Sequence, residues 1–214
     1  NRLLVCAVGG LLDYLREMQK NDLSGLRGLS VYSEGQFLEM DLNTRRNLEL
    51  TESMRTKEKK GSLLWVLDKT ETAPGARMLR QWIEHPLLNV AAIEERQGAI
   101  EELFGNYMLR EEISELLSGV LDLERLNTKI VYGTANAKDL RAVASTISIL
   151  PELREKLSAC QSRAMKRIYT ELDTLEDIFA LIDHAIVETP PFSVREGGMI
   201  APGYNADIDY LHSV

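Results

Sequence analysis

Cross-links, metal knuckles and membrane anchors have little material to draw on in this sequence. Cysteine occurs twice in 214 residues, at Cys6 and Cys160, far apart and without a CxxC partner. That spacing argues against a disulfide or a thiolate metal site and for two buried, reduced thiols. No uninterrupted apolar run approaches the ~18 residues that suggest a membrane span, and the opening NRLLVCAVGGLL is too short and too weakly flanked for a signal peptide. A cytoplasmic chain without membrane contact is expected. Positive charge is also scarce: 25 Lys and Arg face 33 Asp and Glu, a formal net charge of -8. The surface as a whole does not attract nucleic acid or anionic lipid, so any phosphate contact has to be local.

Catalytic signatures are missing too. A P-loop needs a glycine, four residues and then Gly-Lys-Ser or Gly-Lys-Thr, so that amides and an ammonium can wrap the phosphates; EKKGSLL has these letters in the wrong order, and no GxGxxG occurs. His85, His184 and His212 are scattered, and none has a second His or Cys at zinc-ligand spacing, so capping or surface roles are expected. Glu94-Glu95, Glu101-Glu102 and Glu111-Glu112 fall on polar faces of amphipathic patterns. Solvation explains them, since a buried acid/base pair needs apolar surroundings. No catalytic, cofactor-binding or metal-binding residue is assigned.

What is present is helical rhythm. At 44% hydrophobic and 27% charged residues, the chain has ample core for one large or two small domains. Leu4, Val8, Leu11, Leu12 and Leu15 predict a first helix over residues 3–20, with Gly9 and Gly10 admitting a close neighbour. Residues 29–40 read as a β-hairpin turning at Glu34-Gly35. Asp41 or Asn43 caps a helix carrying Arg45, Arg46, Leu48 and Leu50. TESMRTKEKK has no apolar stripe and reads as a solvated loop or frayed helix; SLLWVLDK supplies a buried turn or two. A helix over residues 74–85 tolerates Pro74 in its first turn and stops at Pro86, and Asn89 caps the next. Ile113, Leu116, Leu117, Val120 and Leu121 form an i, i+3, i+4, i+7, i+8 series. Similar stripes run through Leu126 and Ile130, through Leu140, Val143 and Ile147, and through Leu175, Ile178, Phe179, Ile182 and Ile186. Pro151 either starts a helix or kinks one. ETPPFSVREGGMIAPGYN breaks the helices with turn signals and room for one short ribbon. The class is mainly α, multi-helical, with one small β-hairpin near the N-terminus. Trp65, Leu79, Trp82, Ile83, Leu117, Leu126, Ile147 and Phe179 are the expected core, with Met78, Leu79, Trp82 and Ile83 on one apolar face.

Three stretches carry a resemblance. MDLNTRRNLELTESM, then SLLWVLDKTETAPGARMLRQWIEHPLLN, then REGGMIAPGYNADIDYL are similar, in that order, to the core or lever region of the bacterial MutS family of DNA mismatch-repair proteins. The resemblance spans nearly the whole chain. It implies that residues 1–28 are the end of a connector domain and that residues 29–214 are a helical lever core, truncated at the start of the helix leading to a clamp. A first residue other than Met, and a last apolar pair without a helix stop, also suggest an excised piece. Relatives often carry Met where Pro74 stands, a departure that a first-turn proline accommodates.

The family, as the resemblance implies, is a dimeric clamp of mismatch reader, connector, lever, DNA clamp and P-loop ATPase. The stretches that carry the resemblance include neither the mismatch reader with its Phe-x-Glu wedge nor the P-loop, and no long basic clamp insertion occurs here. The chain is then a lever without an active site, and ATP and Mg belong to an ATPase domain outside it. Mismatched duplex DNA and a second subunit are partners of the full-length protein, and this chain alone binds DNA weakly or not at all. Two rival readings are a catalytic helical domain, for which no Glu or His spacing speaks, and an adaptor binding partner helices through an apolar stripe.

Adjacent Arg45 and Arg46 point about 100° apart and need different partners. At a connector-to-lever junction they are expected to reach two separate carboxylates or carbonyls; the plainer alternative pairs one and solvates the other. Gly75, Arg77, Arg80 and Trp82 are grouped with them as structural positions. Arg55, Lys57, Lys59 and Lys60 are candidate weak phosphate contacts in a stretch with a local balance of +3, or ordinary ion pairs. Yielding points of the lever are expected at residues 51–61 and 190–203.

Overall fold

The computed structural model describes residues 2–19, 35 and 37–213. Twelve α-helices occur among them: α1 (Arg2–Gln19), α2 (Leu42–Asn47), α3 (Leu63–Leu67), α4 (Ala73–Glu84), α5 (Val90–Gly105), α6 (Tyr107–Ser118), α7 (Leu123–Val131), α8 (Ala137–Ile147), α9 (Leu150–Ser158), α10 (Arg163–Glu171), α11 (Glu176–Ala185) and α12 (Ala206–Ser213). The chain divides into two compact units, Asn1–Glu34 and Gly35–Val214. In the first, α1 has Leu4, Val8, Leu12 and Leu15 half-buried and Leu11 exposed. Its Gly9 and Gly10, expected to admit a neighbour, have nothing within 4 Å of a built Cβ among the described residues.

The second unit is short helices with polar starts. From α2 to α8, each first turn is closed by a side chain: Asp41, Ser62, Thr72, Asn89, Asn106, Asp122 and Asn136 each accept from an amide of the helix they precede. These oxygens satisfy amides that no helical carbonyl reaches. Of the two caps open for α2, Asp41 is the one used, at 2.6 Å from the Thr44 amide. The helix ends at Asn47, so Leu48 and Leu50 lie beyond it; Glu49 then takes φ +49° and turns the chain. Pro151 starts α9 in its first turn.

Two buried clusters hold the helices. The first joins Leu109 and Ile113 of α6, Ile147, Leu150, Leu153 and Leu157 of α8 and α9, then Cys160 and Met165. The second joins Ala137 and Ala144 of α8 to Ile182 and Ile186. Val143 and Phe179 pack against both, which makes the pair of cores continuous. The amphipathic helix α10, whose Ala164 and Met165 are buried, has no counterpart in the stripes read from the sequence.

Several expectations are corrected. The hairpin over residues 29–40 falls largely outside the described residues. Within it, Phe37 pairs antiparallel with Leu87, and the Leu38 amide donates to the Pro86 carbonyl at 2.8 Å. Pro86 ends α4 and leaves an extended edge there. Among the described residues β structure is limited to this bridge and a second between Ile186 and Ile200. Leu126 and Ile147 are buried as expected, and Leu79, Ile83, Leu117 and Phe179 are half-buried. Trp65 is 48% exposed, Trp82 40% and Met78 54%. Only the Leu79 and Ile83 side of the α4 stripe is covered, so the predicted single buried face is half open. Cys160 is a buried thiol, whereas Cys6, expected to be buried, is exposed.

Truncating the enclosed Ile147 by Ile147→Ala should lower the unfolding free energy by about 3 kcal/mol in urea titrations. Trp82→Ala should remove only about 1–2 kcal/mol, the value of a half-open ring and one cation–π contact. Equal losses would show that the α4 face is covered in solution.

Candidate functional site

Thr72, immediately before α4, accepts from the Gly75 amide at 3.0 Å. A Cβ at position 75 would stand 2.8 Å from that hydroxyl, so the cap requires a glycine there. One turn into the helix, Arg77 extends to the start of α7. Its two terminal nitrogens donate to the two Asp122 oxygens at 2.8 and 2.9 Å, and one of them also donates to Glu124. Asp122 is itself the cap of α7, accepting from the Arg125 amide at 3.4 Å. The guanidinium holds its carboxyl below the usual carboxylate range, and the two carboxylates raise the pKa of Arg77.

The same device recurs down the chain. Lys129, in the last turn of α7, donates to Asp139 at 2.7 Å. Asp139 also closes a capping box with Asn136 at the start of α8. One turn further, Arg141 of α8 donates to Asp183 of α11 at 2.8 Å. These three ties link α4, α7, α8 and α11 in series. Beside them, Glu102 of α5 accepts from the Gln161 and Ser162 amides and so ties down the residues just before α10, whose N-terminal Ser162 makes no side-chain cap. Burial pushes the Glu102 pKa up, but the hydrogen bonds from Ser162 and Gln161 leave it below its ordinary value. Glu95 pairs with Arg167 at 2.8 Å, and Lys156 of α9 pairs with Glu112 of α6 at 3.0 Å.

The other expected positions separate. Arg45 is half-buried and its Nε donates to the Met40 carbonyl at 3.1 Å. Arg46 is exposed, and its side chain has no hydrogen bond or ion pair among the described residues. The adjacent arginines therefore divide into one anchored and one solvated. Arg80 pairs with Glu84 of its own helix at 3.0 Å, and the Trp82 ring lies beneath the Arg96 guanidinium at 3.7 Å. Of the basic residues in the loop, Lys59 is committed to Asp68, while Arg55, Lys57 and Lys60 are exposed. The loop over residues 51–61 is not slack. Leu63 and Leu64 amides donate to the Glu49 and Leu50 carbonyls, both at 2.9 Å, and the Ser53 amide donates to the Glu58 carbonyl at 2.8 Å. Ser62, buried at its base, donates its hydroxyl to the Lys59 carbonyl at 2.7 Å.

Among the described residues no three His, Cys, Asp or Glu side chains are placed to hold a metal ion, and no helix is long and apolar enough to cross a membrane. What the arrangement can do is mechanical: charge-assisted contacts fix one helix start to the next helix.

Residues 43–213 match the profile of MutS domain III. The chain is 49% identical over 207 residues to the DNA mismatch repair protein MutS of Lachnoclostridium phytofermentans, covering 97% of this chain and 22% of that protein. It is 46% identical over 211 residues to the protein of the same name from Acetivibrio thermocellus, covering 99% and 24%. For the Clostridium novyi protein, again named MutS, the figures are 45% over 209 residues, 98% and 23%. The chain thus spans about a quarter of the length of these relatives.

The Lys59 ammonium and the Thr70 donors hold the Asp68 pKa at about 2, against an ordinary 3.8. A depressed carboxylate contributes stability that is present above its unfolded pKa and lost as pH falls through the folded one. Acid titration by NMR should therefore place the Asp68 transition near pH 2, and Lys59→Met should move it up toward the ordinary value. Stability from this pair should decline between about pH 4 and pH 2. An unmoved Asp68 transition in Lys59→Met would assign the shift to Thr70 alone.

Proposed function

Because the chain belongs to the MutS family through domain III, we propose that it is the lever core of a DNA mismatch-repair protein, coupling nucleotide state to DNA clamping. In this reading ATP and Mg bind to a P-loop domain outside these residues, and mismatched duplex DNA and a second subunit engage the full-length protein in the cytoplasm. The chain itself contributes no active site. Its task is to carry displacement from one end to the other without dissipating it.

The observation that supports the reading is the series of ties from Arg77 through Asp122, Lys129, Asp139 and Arg141 to Asp183. A lever has to move as a block, and packed helices with their ends fixed to one another do so. The yielding part is then the segment after α11. There the chain returns through the Ile186–Ile200 bridge, with the Val187 amide on the Met199 carbonyl at 3.1 Å and the Ala201 amide on the Ala185 carbonyl at 2.9 Å. Gly197, Gly198 and Gly203 all take positive φ in this exposed segment. The loop over residues 51–61, closed by its own backbone bonds, is a poorer hinge than its composition suggests.

In the full-length protein, Arg77→Met should leave nucleotide-free mismatch affinity and basal ATP hydrolysis within about twofold. It should reduce the nucleotide-dependent change in DNA affinity by about fivefold or more, the scale of an ordinary coupling energy. Arg46→Met is the control and should change neither. An intact nucleotide response in Arg77→Met would remove Arg77 from the coupling route.

The 214-residue chain alone should bind matched and mismatched duplexes equally and weakly in fluorescence anisotropy at physiological salt. With a net charge of -8 and no side chain assigned as a base-stacking wedge, a mismatch preference would contradict the lever role.

A further inference from the structure

Five arginines among the described residues are half-buried: Arg45, Arg96, Arg110, Arg141 and Arg154. Four of them have a polar acceptor. Arg45 and Arg154 donate to the carbonyls of Met40 and Tyr169, while Arg110 and Arg141 pair with Glu111 and Asp183. Arg96 alone has none; its sole contact of this kind is the Trp82 ring, 3.7 Å below its guanidinium carbon. Of the carboxylates on these two helices, Glu84 pairs with Arg80 at 3.0 Å and Glu95 with Arg167 at 2.8 Å. Partial burial pushes the Arg96 pKa below its ordinary value. A guanidinium has five N–H donors in a planar fork, and stacking on an aromatic face leaves its edge free for a carboxylate.

The ring beneath is open as well. Trp82 is 40% exposed, and Met78, one turn before it on α4, is 54% exposed. A half-open tryptophan stacked with an unpaired arginine has the composition of an interface anchor, where Trp and Arg carry a disproportionate share of binding energy. The adjacent α3 leaves Trp65, Val66 and Leu67 exposed in addition.

We infer that Met78, Trp82 and Arg96 form a docking site for a segment of another protein that presents an Asp or Glu carboxylate beside a large apolar side chain. The carboxylate takes the free edge of the Arg96 guanidinium, and the apolar group covers Met78 and Trp82. A nucleic-acid backbone fits less well, because phosphate tracking needs several unpaired cations in a row and the two arginines of α4, Arg77 and Arg80, are bound to Asp122 and Glu84. The inference stands on these side chains and does not depend on the lever reading.

The test uses Trp65→Phe, which leaves Trp82 as the single tryptophan reporter. Three probes are titrated: a 16-residue helical peptide of Leu and Glu, its Leu and Lys counterpart, and a 16-base-pair duplex. The Leu/Glu peptide should shift Trp82 emission to shorter wavelength and bind at least tenfold more weakly to Arg96→Met, whose apolar side chain keeps contact with the ring. Arg110→Met should bind like the parent, and circular dichroism of both variants should match it. Equal binding to Arg96→Met, or no binding, overturns the site. Preference for the duplex reassigns it to nucleic acid, and self-association that competes with the peptide reassigns it to a second copy; either result also overturns the proposal.

Discussion

Short helices multiply ends, and every helix start leaves amides that need an acceptor. In this chain several of those acceptors are carboxylates that also receive a cation from a different helix. Asp122 caps α7 and holds Arg77; Asp139 closes the α8 capping box and holds Lys129. Negative charge at a helix start is favoured by the aligned peptide dipoles, so the carboxylate is stabilised before the cation arrives. The cation then meets an acceptor already held in place and loses less freedom in binding it. Position at the end of one helix is thereby converted into position along another, and the remaining packing follows from that conversion.

The apolar clusters complete the arrangement without setting its register. Hydrophobic contact is non-directional, and Val143 and Phe179 serve both cores equally. Glu102 of α5 extends the polar principle to the segment just before α10, accepting from the Gln161 and Ser162 amides. Leu175, just before α11, shows the opposite balance. It sits in the left-handed region at φ 51° with its side chain packed on the first core, so packing imposes a backbone conformation that leucine does not favour.

Helix positions were legible in the sequence wherever a cap stood beside a stripe. Asn89 and Asp41 are examples, and Asn136 with Asp139 offered a readable box that periodicity alone passes over. Helix α10 was harder to read because RAMKRIYTE is strongly polar outside its few apolar positions. Of the site, Arg77 is legible as a structural position but its partners are not. Asp122 and Glu124 lie more than forty residues away, and local pattern carries no information about contacts at that range. Trp65 and Trp82 are more open than their apolar stripes imply, since a tryptophan on an amphipathic helix is equally suited to a core and to an exposed contact face. Arg45 and Arg46 follow the plainer of the two readings: the Met40 carbonyl holds one side chain, and the other makes no hydrogen bond or ion pair among the described residues.

The closed base of the loop over residues 51–61 separates its length from its anchorage. With Glu49 and Leu50 already joined to Leu63 and Leu64, the chain in between spans a fixed gap whose entropy grows only slowly with added residues. Its tip, Met54 to Lys60, is exposed. Such a segment tolerates grafted sequence: an epitope, a fluorescent peptide or a protease site placed there reports on the molecule while the surrounding helices keep their geometry.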